Sequence, residues 1–129
     1  MSPPLSVERM LEAACKRLKL PRSRVELSVQ IVSPATMRKL NKTYRGKDKA
    51  TDVLSFPLLT RSEVSTLKKK RDILAIGDIF INRTDEKERL AFLVVHGFLH
   101  LMGYDHERSK REAKIMFTLQ DEIITSVRN

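Results

Sequence analysis

The chain has 129 residues, of which 41% are apolar, with 25 Lys and Arg against 16 Asp and Glu and a formal net charge of +9. That length suits one domain with a real core, expected over residues 1–129, and no segment approaches the ~18 consecutive apolar residues of a membrane span. The first ten residues lack the basic and apolar regions of a secretory signal, and the single cysteine, Cys15, excludes an intrachain disulfide, so the expected setting is the cytoplasm.

Leu5 to Leu20 predicts a helix, with Val7, Met10, Leu11, Ala14 and Leu18 on one face, Ser6 as N-cap and Pro21 as terminator. Cys15 reads as a small core residue. Val25 to Val32 alternates with period two and predicts a half-buried strand. Ser33-Pro34 then supplies an N-cap and a proline at the first helical position. The helix it opens should turn Met37, Leu40 and Tyr44 inward and Arg38, Lys39 and Lys42 outward. Arg45-Gly46-Lys47-Asp48-Lys49 is a charged loop, and Val53 to Phe56 a short strand stopped by Pro57. Thr60 to Arg71 is a polar, exposed loop with room for one helical turn, and its Lys68 to Arg71 run reads as solvated surface.

Ile73 to Ile81, ILAIGDIFI, is apolar on both faces except at Gly77-Asp78 and belongs inside a sheet. Thr84 is the expected N-cap of the next helix, with Asp85, Glu86 and Glu88 at the positive end of its dipole. From Leu90 to about Met102 that helix is apolar nearly all round, which predicts a buried central element. Gly97 within it costs ~1 kcal/mol of propensity relative to alanine, and close packing is the usual reason to tolerate it. Ser109 and Glu112 form an S-x-x-E capping box that opens a last helix. Its core stripe is Met116, Leu119, Ile123 and Val127, with Ile115 and Ile124 beside it. The expected class is therefore α+β: a small mixed β-sheet packed with helices around a buried central helix.

All three histidines, His96, His100 and His106, fall within HGFLHLMGYDH. Residues four apart on a helix are offset by only ~40°, so His96 and His100 point the same way. Gly103 lets the chain leave the helix and fold back, which can bring His106 to the other two. Three imidazoles with one open position is how a catalytic zinc is held, water or substrate completing the shell. Nitrogen ligands alone leave nickel, copper and iron open as well. The H-x3-H-x2-G-x2-H spacing is that of the metzincin metalloproteases, but Gly97 stands where those enzymes carry their glutamate base. A peptidase route would need another carboxylate, with Asp105 and Asp78 as candidates by residue type. A metal that lowers its water's pKa toward ~7 also serves phosphodiester chemistry, and arginine's planar fork matches phosphate. Residues 1–50 hold 12 Lys and Arg against 4 Asp and Glu, while the remainder is nearly balanced. Such a one-sided distribution suits a polyanion.

HGFLHLMGYDH, together with NKTYRGKDKATDVLSFP and IGDIFI, resembles the YbeY family of metal-dependent endoribonucleases. The three motifs occur in the family's order. The resemblance implies single-strand endoribonuclease activity with one zinc on His96, His100 and His106, and no organic cofactor. It also implies work on ribosomal RNA and the ribosome, in small-subunit maturation and quality control. The family's motif arginine falls on Arg45, the expected catalytic side chain, with Lys42, Lys47 and Lys49 beside it to hold the RNA backbone. Three features depart from the family pattern. Ala50 stands where a proline is usual, the interval from Asp78 to His96 is short, and no strand is visible before the first helix. Two other functional classes stay open: an RNA-binding ribosome assembly protein with a structural metal, which would need a fourth ligand such as Asp105, and a metallopeptidase-like hydrolase.

Overall fold

A strand with apolar side chains on both faces needs cover on both, and the architecture supplies it. In the computed structural model, which describes residues 5–64, 66 and 73–128, the first elements are α1 (Leu5–Arg17), a 3-10 turn (Arg22–Arg24), β1 (Val25–Val32) and α2 (Pro34–Arg45). They are followed by β2 (Val53–Pro57), α3 (Arg61–Val64), β3 (Leu74–Asn82), α4 (Lys87–Leu101) and α5 (Lys110–Val127). The sheet order is β1-β3-β2. β3 runs parallel to β1 and antiparallel to β2, so the doubly apolar strand is the central one. Pro57, which cannot donate to a ladder, ends the edge strand β2.

Cross-strand partners share a face, and the two faces have different cover. Ile79 and Ile81 are fully buried and pair with Ser55 and Val53 on the side where α4 packs. Phe80 and Phe56 meet edge to face at 5.7 Å on the other side, where the Tyr44 ring of α2 abuts Phe56 at 5.2 Å. α1 and α5 pack against α4. Together they bury Leu93, Val94, Val95, Phe98, Leu99 and Leu101, so α4 is the central helix that its all-round apolar sequence requires. The α+β expectation holds, with helices around a buried α4 and a small mixed sheet.

Several local expectations hold and several are corrected. Ser33 Oγ accepts from Thr36 N at 3.2 Å with Pro34 next to it, and Gly46 at φ 70° closes α2 in the left-handed conformation. Inside α2, however, Tyr44 is 65% exposed, and the inward position four residues after Met37 belongs to Asn41. Its Nδ2 donates to Lys49 O at 2.9 Å and so ties down the charged loop. α1 begins at Leu5, which puts Ser6 inside the first turn and not at the cap. α4 begins at Lys87 with Glu86 as N-cap. Thr84 instead accepts from Glu86 N at 3.2 Å in the turn before the helix. Ser109 caps α5, accepting from Glu112 N at 3.0 Å, but the Glu112 carboxylate turns to Arg61 at 2.7 Å. A reciprocal box forms earlier in the chain, at the single-turn helix α3. There Glu63 N donates to Thr60 Oγ1 at 3.2 Å and Thr60 N to Glu63 Oε1 at 3.0 Å. The Lys68–Arg71 run lies outside the described residues.

Gly97 is where α4 meets the sheet. A Cβ there would lie 2.7 Å from Ile79 Cγ2 and 3.2 Å from Ser55 Oγ. Ile79 is fully buried and β-branched, so it cannot swing aside. Gly97→Ala should therefore lose more to overpacking, about 1–3 kcal/mol, than the ~1 kcal/mol it gains in helix propensity. A lower urea midpoint with an unchanged m-value would register that loss. Cys15 is 1% exposed, and burial pushes its thiol up to about 11. Alkylation at pH 8 is accordingly expected to be slow in the native protein and fast once it is denatured.

Candidate active site

The C-terminus of α4 brings the three histidines together. Tyr104 N donates to Leu99 O and Gly103 N to His100 O, both at 3.0 Å, while Gly103 sits at φ 94°. This left-handed exit satisfies the last carbonyls of the helix and reverses the chain. Asp105 then shapes the loop by accepting from Glu107 N at 2.9 Å. His106 arrives against the other two, with ring centroids 5.1 Å from His96 and 5.2 Å from His100. One ligand nitrogen from each ring lies within 4.8 Å of the others, the reach of a single metal ion.

Gln120, on α5, sets the orientation of His96. It is 1% exposed, and its Oε1 lies 3.0 Å from His96 Nδ1. An amide oxygen only accepts, so the proton is on Nδ1 and the Nε2 lone pair faces the cluster. Burial lowers the pKa of His96, against the Gln120 hydrogen bond. Burial, reinforced by His96 and His106, pushes His100 down to about 4. Both rings are therefore neutral at pH 7 and able to ligate. His106 Nδ1 is buried without a hydrogen-bond partner, a cost that a cation accepting its lone pair would remove. Three imidazoles, one with an orphaned nitrogen and one held by a buried amide, fit a borderline cation such as zinc.

The cluster opens into a cleft of about 690 Å³, walled on one side by β2. Arg45, at the end of α2, lines the same cleft and makes no ion pair among the described residues. A residue 51 positions before His96 in sequence is thus brought to it in space. Lys42, Lys47 and Lys49 are exposed and are not part of the lining.

A family model described as "Endoribonuclease YbeY" matches residues 5–128. The chain belongs to the YbeY family. Endoribonuclease YbeY of Persephonella marina is 40% identical over 116 residues, covering 81% of this chain and 72% of that protein. The protein of the same name from Limosilactobacillus fermentum is 39% identical over 132 residues, covering 91% and 82%. Among solved structures, the solution structure of TM1509 from Thermotoga maritima superposes with a TM-score of 0.59 at 29% identity. That match covers 92% of this chain and 76% of the other.

Within the chain, the two carboxylates considered as bases separate. Asp105 lines the cleft. Asp78 does not, and its carboxylate is engaged on the neighbouring strand, where it accepts from Ser28 Oγ at 2.6 Å. Position 97, where a zincin peptidase carries its glutamate, faces Ile79 and Ser55 and has no room for a side chain. Three contributors were not legible beforehand. Arg61 and Arg108 also line the cleft, both bound to Glu112, at 2.7 and 3.5 Å. The third is Gln120, and for it a signal existed. It lies four residues after Met116 and three before Ile123, a polar residue on an otherwise apolar stripe.

Gln120→Leu should weaken zinc binding roughly 10- to 100-fold, whereas Gln120→Glu, which still accepts from Nδ1, should retain it. Competition against a chromophoric chelator measures both, and equal affinities for the Leu and Glu variants would remove Gln120 from the site.

Proposed function

We propose that this chain is a zinc-dependent endoribonuclease of single-stranded RNA, acting in ribosomal RNA maturation and ribosome quality control in the cytoplasm. The observation that carries the reading is one cleft shared by three imidazoles and an Arg45 guanidinium that has no ion-pair partner among the described residues. The missing room at position 97 disfavours the peptidase alternative. No helix among the described residues is long and apolar enough to cross a membrane, and ribosomal RNA is the substrate class we assign to the basic chain.

In this reading His96, His100 and His106 hold the ion. Bound there, zinc supplies Lewis acidity toward a phosphoryl oxygen. Arg45 pairs its fork with the non-bridging oxygens, whose negative charge grows on the way to the pentavalent transition state. Its contribution is therefore larger in the transition state than in the ground state, and falls mainly on kcat. Gln120 keeps His96 in the ligating tautomer and Gly97 keeps α4 seated on the sheet, so the ligands are fixed before substrate arrives. Lys42, Lys47 and Lys49, outside the cleft lining, attract the backbone of the approaching strand in a salt-dependent way. The basic excess of residues 1–50 adds to that steering.

The zinc-loaded protein should cut single-stranded RNA and spare an unfolded protein substrate. Activity should vanish with chelator and return with zinc. His100→Ala should abolish it, and Arg45→Ala should lower kcat roughly 10²–10³-fold with little change in RNA affinity. Absence of cleavage by a folded, metal-loaded sample would sink the proposal, as would cleavage that survives both substitutions.

A further inference from the structure

The chain has five phenylalanines and no tryptophan. Phe98 is fully buried, and Phe56 and Phe80 are half-buried residues of the sheet that meet edge to face, Phe56 also lining the cleft beside β2. Phe92 and Phe117 are different, at 37% and 40% exposed. They come from different helices, α4 and α5, yet each rests on an imidazole of the candidate metal centre. Phe92 stacks on His96 with ring centroids 5.8 Å apart and planes 10° from parallel. Phe117 lies 5.7 Å from His106 at 47°. With His96 and His106 themselves 5.1 Å apart, the four rings form a continuous run: Phe92, His96, His106, Phe117.

Neither phenylalanine lines the cleft, but each lies against a histidine that does. A benzyl side chain offers a flat π-face and no hydrogen bond. The occupant such a face suits, beside a cleft with Arg45, Arg61 and Arg108 on its walls, is a molecule that alternates anionic groups with flat aromatic ones. An unpaired polynucleotide does so, and its bases stack on aromatic side chains when they are free of a duplex. A double helix keeps its base faces stacked internally and has none to offer.

We propose that Phe92 and Phe117 form a stacking platform for unpaired nucleobases next to the phosphate held at the histidine cluster, and that this platform selects single-stranded over duplex RNA. The inference rests on the endoribonuclease reading and adds to it a specificity element outside the metal and arginine machinery. Stacking acts on the bound strand before and during reaction alike, so its loss should raise KM and leave kcat nearly unchanged.

The absence of tryptophan provides the test. Phe92→Trp keeps an aromatic face and installs a single tryptophan, excited at a wavelength that spares Tyr44 and Tyr104. The zinc-loaded variant, shown to be folded by its melting curve, is titrated with three 2′-O-methyl oligonucleotides: a single strand, its duplex, and a single strand with abasic sites. Anisotropy of a label on each oligonucleotide reports binding separately. Tryptophan emission should be quenched by the single strand, and not by the duplex or the abasic strand at matched occupancy. In parallel, Phe92→Ala and Phe117→Ala should each raise KM for single-stranded RNA roughly 5- to 100-fold and narrow the preference over duplex. Phe117→Tyr should restore it, while Phe117→Leu, apolar without a π-face, should not. Unquenched emission with the single strand demonstrably bound would overturn the platform while leaving the nuclease reading standing. So would full activity of Phe117→Leu. Failure of the unsubstituted protein to bind or cut RNA would instead overturn the nuclease reading itself.

Discussion

The seat of α4 on the sheet decides where everything functional can be. Gly97 allows Ile79 to lie where a Cβ would be 2.7 Å from its methyl group, and Ser55 Oγ donates to Gly97 O at 3.3 Å across the same contact. His96 flanks this residue directly, and His100 follows one turn later. A helix held this closely cannot rotate without driving backbone into β3, so the ligand direction is fixed by packing. The same contact sets the cleft, whose wall is β2, the strand that carries Ser55. It also removes position 97 from chemistry, because a residue facing the sheet cannot face a substrate. One glycine thus links the fold, the ligand geometry and the exclusion of a peptidase-type base.

Around that seat the charges are sorted by partner. Glu112 accepts from Arg61 and lies near Arg108, which binds α3 and the histidine loop to the start of α5. These pairs are half exposed and each contributes little to stability. Their larger effect is on geometry, since they fix the loop that carries His106 and leave Arg45 as the cation on the cleft without a protein partner among the described residues. An anion entering the cleft therefore meets one guanidinium that need not give up a carboxylate first. Lys42, Lys47 and Lys49 lack such placement, and their reach is limited by screening over ~8–10 Å.

What could be read from sequence was what periodicity and caps encode. The doubly apolar ILAIGDIFI had to be central, the all-round apolar helix had to be buried, and H-x3-H had to share a helix face. The misses have a common cause, competition between local signals and tertiary partners. Tyr44 and Asn41 are both compatible with the inner face of α2. Asn41 takes it because its amide finds the Lys49 carbonyl, while the longer Tyr44 reaches out to the edge of Phe56. Glu112 had the spacing to complete its capping box and was drawn to Arg61, 51 residues away. Arg61 acts through Glu112, 51 residues away, and Gln120 through a histidine on another helix, partners that no spacing within one segment reports. The grouping of the three histidines was legible from their spacing, and the residues that hold them in place were not.

The tautomers carry the argument one step further. Gln120 fixes the His96 proton on Nδ1, so His96 Nε2 can only accept. His100 Nε2 lies 3.2 Å away, which requires the neutral His100 ring to donate its proton there. The ring pair is thus satisfied internally, while His106 keeps a buried nitrogen with nothing to bond. A cation taking the lone pairs of all three rings must displace that His100 proton, and His100 can carry it on Nδ1 without becoming charged. Burial and two neighbouring imidazoles oppose any charged alternative, holding His100 near 4. The desolvation that makes His96 and His100 poor bases therefore makes them ready ligands at neutral pH. A bound ion would return stability to the fold through the same groups, since it binds the folded arrangement and has no such site in the unfolded chain.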